Sequence, residues 1–124
     1  MKKYDREKGV ELFNEVYCGD LPSLPPPGQS KFIDYMLDTL FGTLWADDSL
    51  SIRDRRLLLI GAIAAQGDET TLKIQARSAL KRGELTLAQL EAIVMFMTQY
   101  VGYPKGSRFF LIYNELVKEM QAPK

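Results

Sequence analysis

Apolar residues recur every three or four positions through most of the chain, and glycines separate the segments that carry this pattern. Such spacing places apolar side chains on one face of an α-helix. No segment shows the strict alternation that indicates a half-buried strand. The sequence therefore predicts an all-α fold of six helices, and its 124 residues fit one domain over residues 1–124.

Capping residues and glycines set the helix ends. The predicted helices cover residues 4–17, 30–44, 51–66, 68–83, 86–101 and 103–120. The predicted N-caps are Asp5, Ser51, Asp68 and Thr86, because short polar side chains accept hydrogen bonds from the first free backbone N–H groups. Between the first two helices, residues 20–28 contain four prolines, which forbid a helix and predict an extended strap.

Two of the predicted helices have little or no polar face. The third is apolar almost all round over residues 57–65, and the fifth is similar. A helix without a polar face is typically buried on all sides, so we expect the third helix to be central. One chain of this length has few elements to cover both helices. We therefore expect a homo-oligomer with an apolar interface on the fifth and sixth helices.

Composition narrows the possible chemistry. Acidic and basic residues balance at 16 each, so no net charge draws the protein to nucleic acid or to an anionic membrane. The chain has no histidine and one cysteine, Cys18, which excludes an internal disulfide and disfavours a zinc site. We expect no metal and no cofactor. The single cysteine, the lack of a signal-peptide pattern and the short apolar runs predict a cytoplasmic protein that does not bind membranes.

Several segments match a known pattern in order and spacing. They are Trp45, residues 50–59 (LSIRDRRLLL), 64–67 (AAQG), 76–83 (ARSALKRG), 85–91 (LTLAQLE) and 100–104 (YVGYP). Over residues 45–116 the chain thus resembles the carboxymuconolactone decarboxylase family, which includes the alkylhydroperoxidase-D-like proteins. The resemblance implies an all-α fold, a ring-like trimer or hexamer, and small-molecule chemistry in a pocket near a subunit interface.

The chain departs from that family at its reactive positions. The Cys-x-x-Cys pair and the following histidine of the peroxidase branch correspond to Asp68, Thr71 and Gln75 here. An acidic residue of the decarboxylase branch corresponds to Arg56. A dithiol relay is therefore excluded, because it needs two thiols. An amide at position 75 does not titrate near neutral pH, so the acid–base role of the histidine is also lost.

The candidate site is a polar stripe on the fourth helix. Residues 68, 71, 75, 78 and 82 follow spacings of three and four, which place them on one face. The predicted catalytic hydrogen-bond donors are Gln75, Thr71 and Tyr100, and the predicted substrate-binding residues are Arg56, Arg82 and Ser78. The alternative interpretation is a solvated helix edge, with Thr71 in a cap and the arginines in ion pairs with nearby acids.

Two functions remain open from the sequence. The first is cofactor-free decarboxylation, or related chemistry, of a small carboxylated lactone or oxoacid, in which hydrogen-bond donors and a guanidinium stabilise the developing negative charge. The second is a catalytically degenerate family member that binds a small molecule or serves as an oligomeric scaffold. The expected partners are other copies of the chain and, through the arginines, a small anionic molecule. Peroxide reduction through Cys18 is rejected, because no second cysteine can resolve a sulfenic acid.

Overall fold

The computed structural model describes residues 5–121, in which the regular secondary structure is helical and no strand occurs. Six helical segments are present in this part of the chain. They are α1 (Arg6–Val16), α2 (Lys31–Tyr35 continued by Met36–Leu44), α3 (Ile52–Gln66), α4 (Glu69–Lys81), α5 (Leu87–Val101) and α6 (Tyr103–Gln121). The predicted all-α, six-helix fold is confirmed for these residues. The predicted start of the first helix at residue 4 lies outside the described residues.

The predicted N-caps are confirmed by hydrogen bonds from side chain to backbone. The Asp5 carboxylate accepts from the Lys8 N–H at 3.1 Å, and the Ser51 hydroxyl accepts from the Asp54 N–H at 3.0 Å. Asp68 caps α4 in the same way. Thr86 and Gln89 form a complete capping box at the start of α5. These contacts are local, so the sequence pattern alone suffices to predict them.

Two compact units divide the chain between Arg55 and Arg56. In the first unit, α1 packs along α2 through a cluster of aromatic rings. The Phe13 ring lies 5.2 Å from the Phe41 ring in an edge-to-face arrangement, and Phe41 stacks on Trp45 at 6.0 Å. Leu37 and Val16 are fully buried beside these rings. This cluster makes α1 and α2 a helical hairpin with its own apolar core.

The second part of α2 is π-helical, which the helical periodicity did not predict. The Trp45 N–H donates to the Leu40 carbonyl, five residues earlier, at 2.8 Å. The Thr43 hydroxyl likewise donates to the carbonyl of Asp38 at 2.9 Å. This wider turn lies where α1 approaches α2 very closely. A Cβ added at Gly9 of α1 would overlap the Leu37 carbonyl oxygen. A long-range backbone contact of this kind leaves no signal in sequence spacing.

The proline-rich segment 20–28 contains no helix and is tied to the helices of the first unit. The Arg6 guanidinium donates to the Pro25 carbonyl at 2.8 Å and to the Asp34 carboxylate at 3.0 Å. The same carboxylate accepts from the Gly28 N–H at 2.9 Å. One arginine and one aspartate therefore hold this strap in place.

The second unit is built around an apolar core to which α3, α4, α5 and α6 all contribute. Its fully buried members include Ile60, Ala76, Ala79, Leu90 and Leu116. Helix α6 packs against both α4 and α5. No helix in residues 5–121 is both long and apolar enough to cross a membrane.

The expectation that α3 is buried on all sides is wrong for the single chain. Leu58 is 67% exposed, and Ala62 and Ala65 are also exposed. The buried face of this helix instead carries Arg56 together with the core residue Ile60. The chain has too few helices to surround α3, as the sequence also implied.

Charged side chains link the outer faces of α4 and α6. Lys73 pairs with Glu115 at 2.7 Å, and the Arg77 guanidinium donates two hydrogen bonds of 2.9 Å to the Glu119 carboxylate. The hydrogen bond from Arg77 lowers the pKa of Glu119, and the hydrogen bond with Glu115 raises the pKa of Lys73. Because these pairs are partly exposed, each contributes little to stability.

Replacing Glu119 with glutamine is expected to reduce stability by less than about 1 kcal/mol near neutral pH, because exposed pairs are screened by water. Since the pKa of folded Glu119 lies below its ordinary value of 4.5, its carboxylate stabilises the fold above that pH. This contribution is lost as the pH falls through the lowered pKa. Urea unfolding of both proteins at about pH 7 and about pH 3 measures the difference. An equal difference at both values would contradict this explanation.

Candidate functional site

Arg56 is the most completely buried charged side chain among the described residues, with 0% exposure. It lies near the start of α3, on the face that packs into the second unit. Its Nε donates to Oε1 of Glu84 at 3.0 Å, and its Nη2 donates to Oε2 at 3.3 Å. This is a two-point contact between a planar guanidinium and a carboxylate, which is the strongest form of arginine pairing.

Gln75 completes the contacts of this guanidinium from α4. Its Oε1 accepts a 2.6 Å hydrogen bond from Nη1 of Arg56, and its side chain is only 1% exposed. By the resemblance described above, positions 56 and 75 correspond to an acidic residue and a histidine of the family. The structure therefore brings the two departures into direct contact.

Arg82 and Ser78 continue the same stripe of α4. Arg82 follows the last residue of the helix, and its guanidinium approaches Oε2 of Glu84 at 3.3 Å. Ser78 is 1% exposed. The interpretation of the stripe as a solvated helix edge is therefore wrong for Gln75 and Ser78, which lie inside the protein.

Glu84 is the member of this cluster that the sequence analysis missed. It lies in the short connection between α4 and α5, directly after Gly83, whose φ of 72° ends the helix. Its side chain is only 6% exposed. One signal was available: a buried arginine requires a carboxylate, and Glu84 is the only acidic residue between Glu69 and Glu91.

Thr71 and Tyr100 lie apart from the arginine cluster. The Thr71 hydroxyl and N–H both donate to the Asp68 carboxylate at 3.1 Å, so this threonine takes part in the cap of α4. Tyr100 is 77% exposed on α5, and its ring packs on Phe96 at 5.2 Å. The structure thus gathers Arg56, Gln75 and Arg82 into one cluster and leaves these two residues outside it.

The buried side-chain polar atoms of the described residues all take part in hydrogen bonds. Within residues 5–121, no buried side-chain nitrogen or oxygen lacks a hydrogen-bond partner. Nor do these residues hold a group of three or more histidine, cysteine, aspartate or glutamate side chains that could bind a metal ion. Removing one partner of a buried ion pair leaves the other charge buried without a partner, which is strongly destabilising. Each side chain of the arginine cluster therefore stabilises the fold only while the others are present.

A separate cavity of about 380 Å³ lies between α5 and α6. Its lining residues are Val94, Met95, Thr98, Gln99, Tyr103, Gly106, Ser107 and Phe110. None of the six predicted site residues lines this cavity. The exposed apolar side chains of Phe96 and Leu111 lie on the same two helices.

A known protein family matches the sequence over most of the helices described above. The carboxymuconolactone decarboxylase family matches residues 30–115, which is more than half of the chain and begins at α2. No curated protein matches the sequence. The family match spans every helix that contributes to the arginine cluster. This chain belongs to the carboxymuconolactone decarboxylase family.

Proposed function

We propose that this chain is a catalytically degenerate member of its family and works as a homo-oligomeric protein that binds a small anionic molecule. The observation that carries the proposal is the closed contact of Arg56 with Gln75 and Glu84. By the resemblance, positions 56 and 75 correspond to an acidic residue and a histidine of the family. Both side chains at those positions are engaged with other groups of the chain. An amide and a guanidinium cannot exchange protons near neutral pH.

The charges of the cluster support an anionic ligand. Two guanidinium groups, of Arg56 and Arg82, meet one carboxylate, of Glu84. These three side chains together carry one positive charge in excess. A guanidinium with a planar pair of donors recognises carboxylates through two parallel hydrogen bonds. Carboxylates are thus the ligand class for which these residues are best suited.

Binding without turnover is the expected result for the purified protein. A panel of small carboxylates and carboxylated lactones should include at least one compound that raises the melting temperature, because a ligand of the folded state shifts unfolding by mass action. No compound of the panel should be converted. A panel that neither stabilises the protein nor reacts would contradict the proposed binding function.

Cofactor-free decarboxylation is the second candidate, and the gathered guanidinium groups favour it. In that reaction Arg56 or Arg82 would hold the substrate carboxylate. Gln75 would donate a hydrogen bond to the enolate oxygen as charge develops there. The other two predicted donors, Thr71 and Tyr100, lie outside the arginine cluster. This candidate predicts turnover that Gln75→Ala abolishes while Gln66→Ala, an exposed glutamine at the end of α3, leaves it intact. That result would overturn the degenerate interpretation.

The exposed apolar residues of α5 and α6 support assembly into a trimer or hexamer. Met95, Phe96 and Leu111 present large apolar surfaces to solvent in the single chain. If they form one patch, such exposed apolar side chains suit a subunit interface, which is what we propose for these two helices. We expect light scattering to give the mass of an oligomer for the wild type and a smaller mass for Phe96→Asp.

A matched control for this variant lies on the same helix. Ala88→Asp adds the same charge at an exposed position in the first turn of α5, where an acidic residue suits the helix dipole. We expect Ala88→Asp to keep the mass of the wild type. A monomeric wild type, or equal masses for the wild type and Phe96→Asp, would contradict the proposed interface.

A further inference from the structure

Glu84 occupies the position that a bound carboxylate would take in an arginine site. Its Oε1 accepts from Nε of Arg56 at 3.0 Å, and its Oε2 accepts from both Arg56 and Arg82 at 3.3 Å. Gln75 fixes the remaining edge of the Arg56 guanidinium at 2.6 Å. Two donors in parallel on one carboxylate, with a second guanidinium beside it, form an arrangement suited to a carboxylate ligand.

The backbone around Glu84 is anchored independently of its carboxylate. The Glu84 N–H donates to the Ala79 carbonyl at 2.9 Å, and the Gly83 N–H donates to the Leu80 carbonyl at 3.1 Å. The next residue, Leu85, is buried in the apolar core. The connection from α4 to α5 therefore keeps its course when the side chain of Glu84 is shortened.

The cluster reaches solvent at one edge. The side chain of Arg82 is 27% exposed, whereas that of Arg56 is fully buried. Glu84 lies between them, with 6% of its side chain exposed. A small ion can therefore approach from the side of Arg82, and the carboxylate of Glu84 can leave toward the same side.

We infer that Arg56 and Arg82 form a carboxylate-binding site that the chain fills with its own Glu84. A small monocarboxylate takes the same position when the Glu84 carboxylate is removed or displaced. This inference rests on the proposed function and names its ligand class and its site. In the wild type the tethered Glu84 is present at a high effective concentration, so a ligand must make additional contacts to displace it.

Chemical rescue of Glu84→Ala by acetate tests this inference. The variant leaves both guanidinium groups in place and opens the volume of a carboxymethyl group, which acetate can fill. At an acetate concentration about ten times its Kd, the folding equilibrium constant of the variant should rise roughly tenfold relative to chloride at equal ionic strength. The wild type should show no such acetate-specific change.

The matched control is Glu119→Ala on the outer face of α6. Glu119 also accepts two hydrogen bonds from one arginine, Arg77, both of 2.9 Å, but this pair is exposed. Acetate should not stabilise Glu119→Ala, because water competes for an exposed guanidinium. An absent acetate effect in Glu84→Ala, or an equal effect in Glu119→Ala, would overturn the inference.

The test holds even if Glu84→Ala does not fold in chloride. The refolding yield in acetate then becomes the measured quantity, and the inference predicts folded protein in acetate but not in chloride. Equal yields in both salts would overturn it. Glu84→Gln supplies a second control, because it keeps the side-chain volume and should leave no room for acetate. Failure of the rescue leaves the mass and turnover measurements of the wild type unaffected, so it is distinguishable from failure of the proposed function.

Discussion

Replacement of Glu84 by alanine is expected to lower the free energy of unfolding by about 3–5 kcal/mol, because it leaves a buried guanidinium without its counter-charge. Arg56 is fully buried and directs two of its donors at Glu84. The Glu84 side chain is itself only 6% exposed, so water has little access to this position. Urea unfolding in chloride buffer near neutral pH, followed by circular dichroism, measures the loss.

Glu119→Ala provides the comparison for this loss. It removes a carboxylate that also receives two hydrogen bonds from one arginine, but on an exposed face. Its expected cost is less than about 1 kcal/mol. The difference between the two variants isolates the effect of burial. Similar losses for both would show that Arg56 is solvated when Glu84 is absent.

Gly9→Ala is expected to destabilise the protein by about 1–3 kcal/mol, because the added methyl group has no room. A Cβ at this position of α1 would overlap the backbone carbonyl oxygen of Leu37 in α2. Backbone atoms cannot move aside as the end of a flexible side chain can. Loss of the close approach between α1 and α2 should appear as a lower urea midpoint.

Gly61→Ala is the matched control, since Gly61 also lies inside a helix. A Cβ there would meet only the Met97 side chain, at 3.9 Å, which is an ordinary contact. Alanine favours helix by up to about 1 kcal/mol over glycine, so this variant should be neutral or more stable. Equal destabilisation by the two substitutions would mean that the approach at Gly9 is not tight.

The local features of the fold could be predicted because their causes lie within a few residues. The caps at Asp5, Ser51, Asp68 and Thr86 each satisfy a backbone donor three residues later. Helical spacing of apolar residues likewise sets the number and order of helices. The family resemblance added the positions at which a functional site would be expected.

The features that escaped prediction depend on contacts between distant residues. Glu84 pairs with Arg56 across 28 positions, and no spacing rule connects an α3 residue with the loop after α4. The π-helical part of α2 accompanies a backbone contact with α1 at Gly9. Exposure of Leu58 depends on how many helices are present to cover α3.

The candidate site was predicted only in part for the same reason. Helical spacing correctly placed Gln75 and Ser78 on one stripe of α4, but it could not show that this stripe is buried. The spacing also could not show that Arg56 reaches Gln75 from another helix. Catalytic and substrate-binding roles for these residues stay predictions, and Tyr100 lies on an exposed face of α5.

The central claim is that Arg56 and Glu84 form one structural pair, with Arg56 at a position where the resemblance implies an acidic residue. A double-mutant cycle with Arg56→Met, Glu84→Leu and the double variant tests it most directly, with the free energy of unfolding as the measured quantity. We expect a coupling free energy of about 2 kcal/mol or more. Each single substitution leaves a buried charge, of Arg56 or of Glu84, without its counter-charge, whereas the double variant removes both charges. Additive losses, with a coupling below about 0.5 kcal/mol, would contradict the claim.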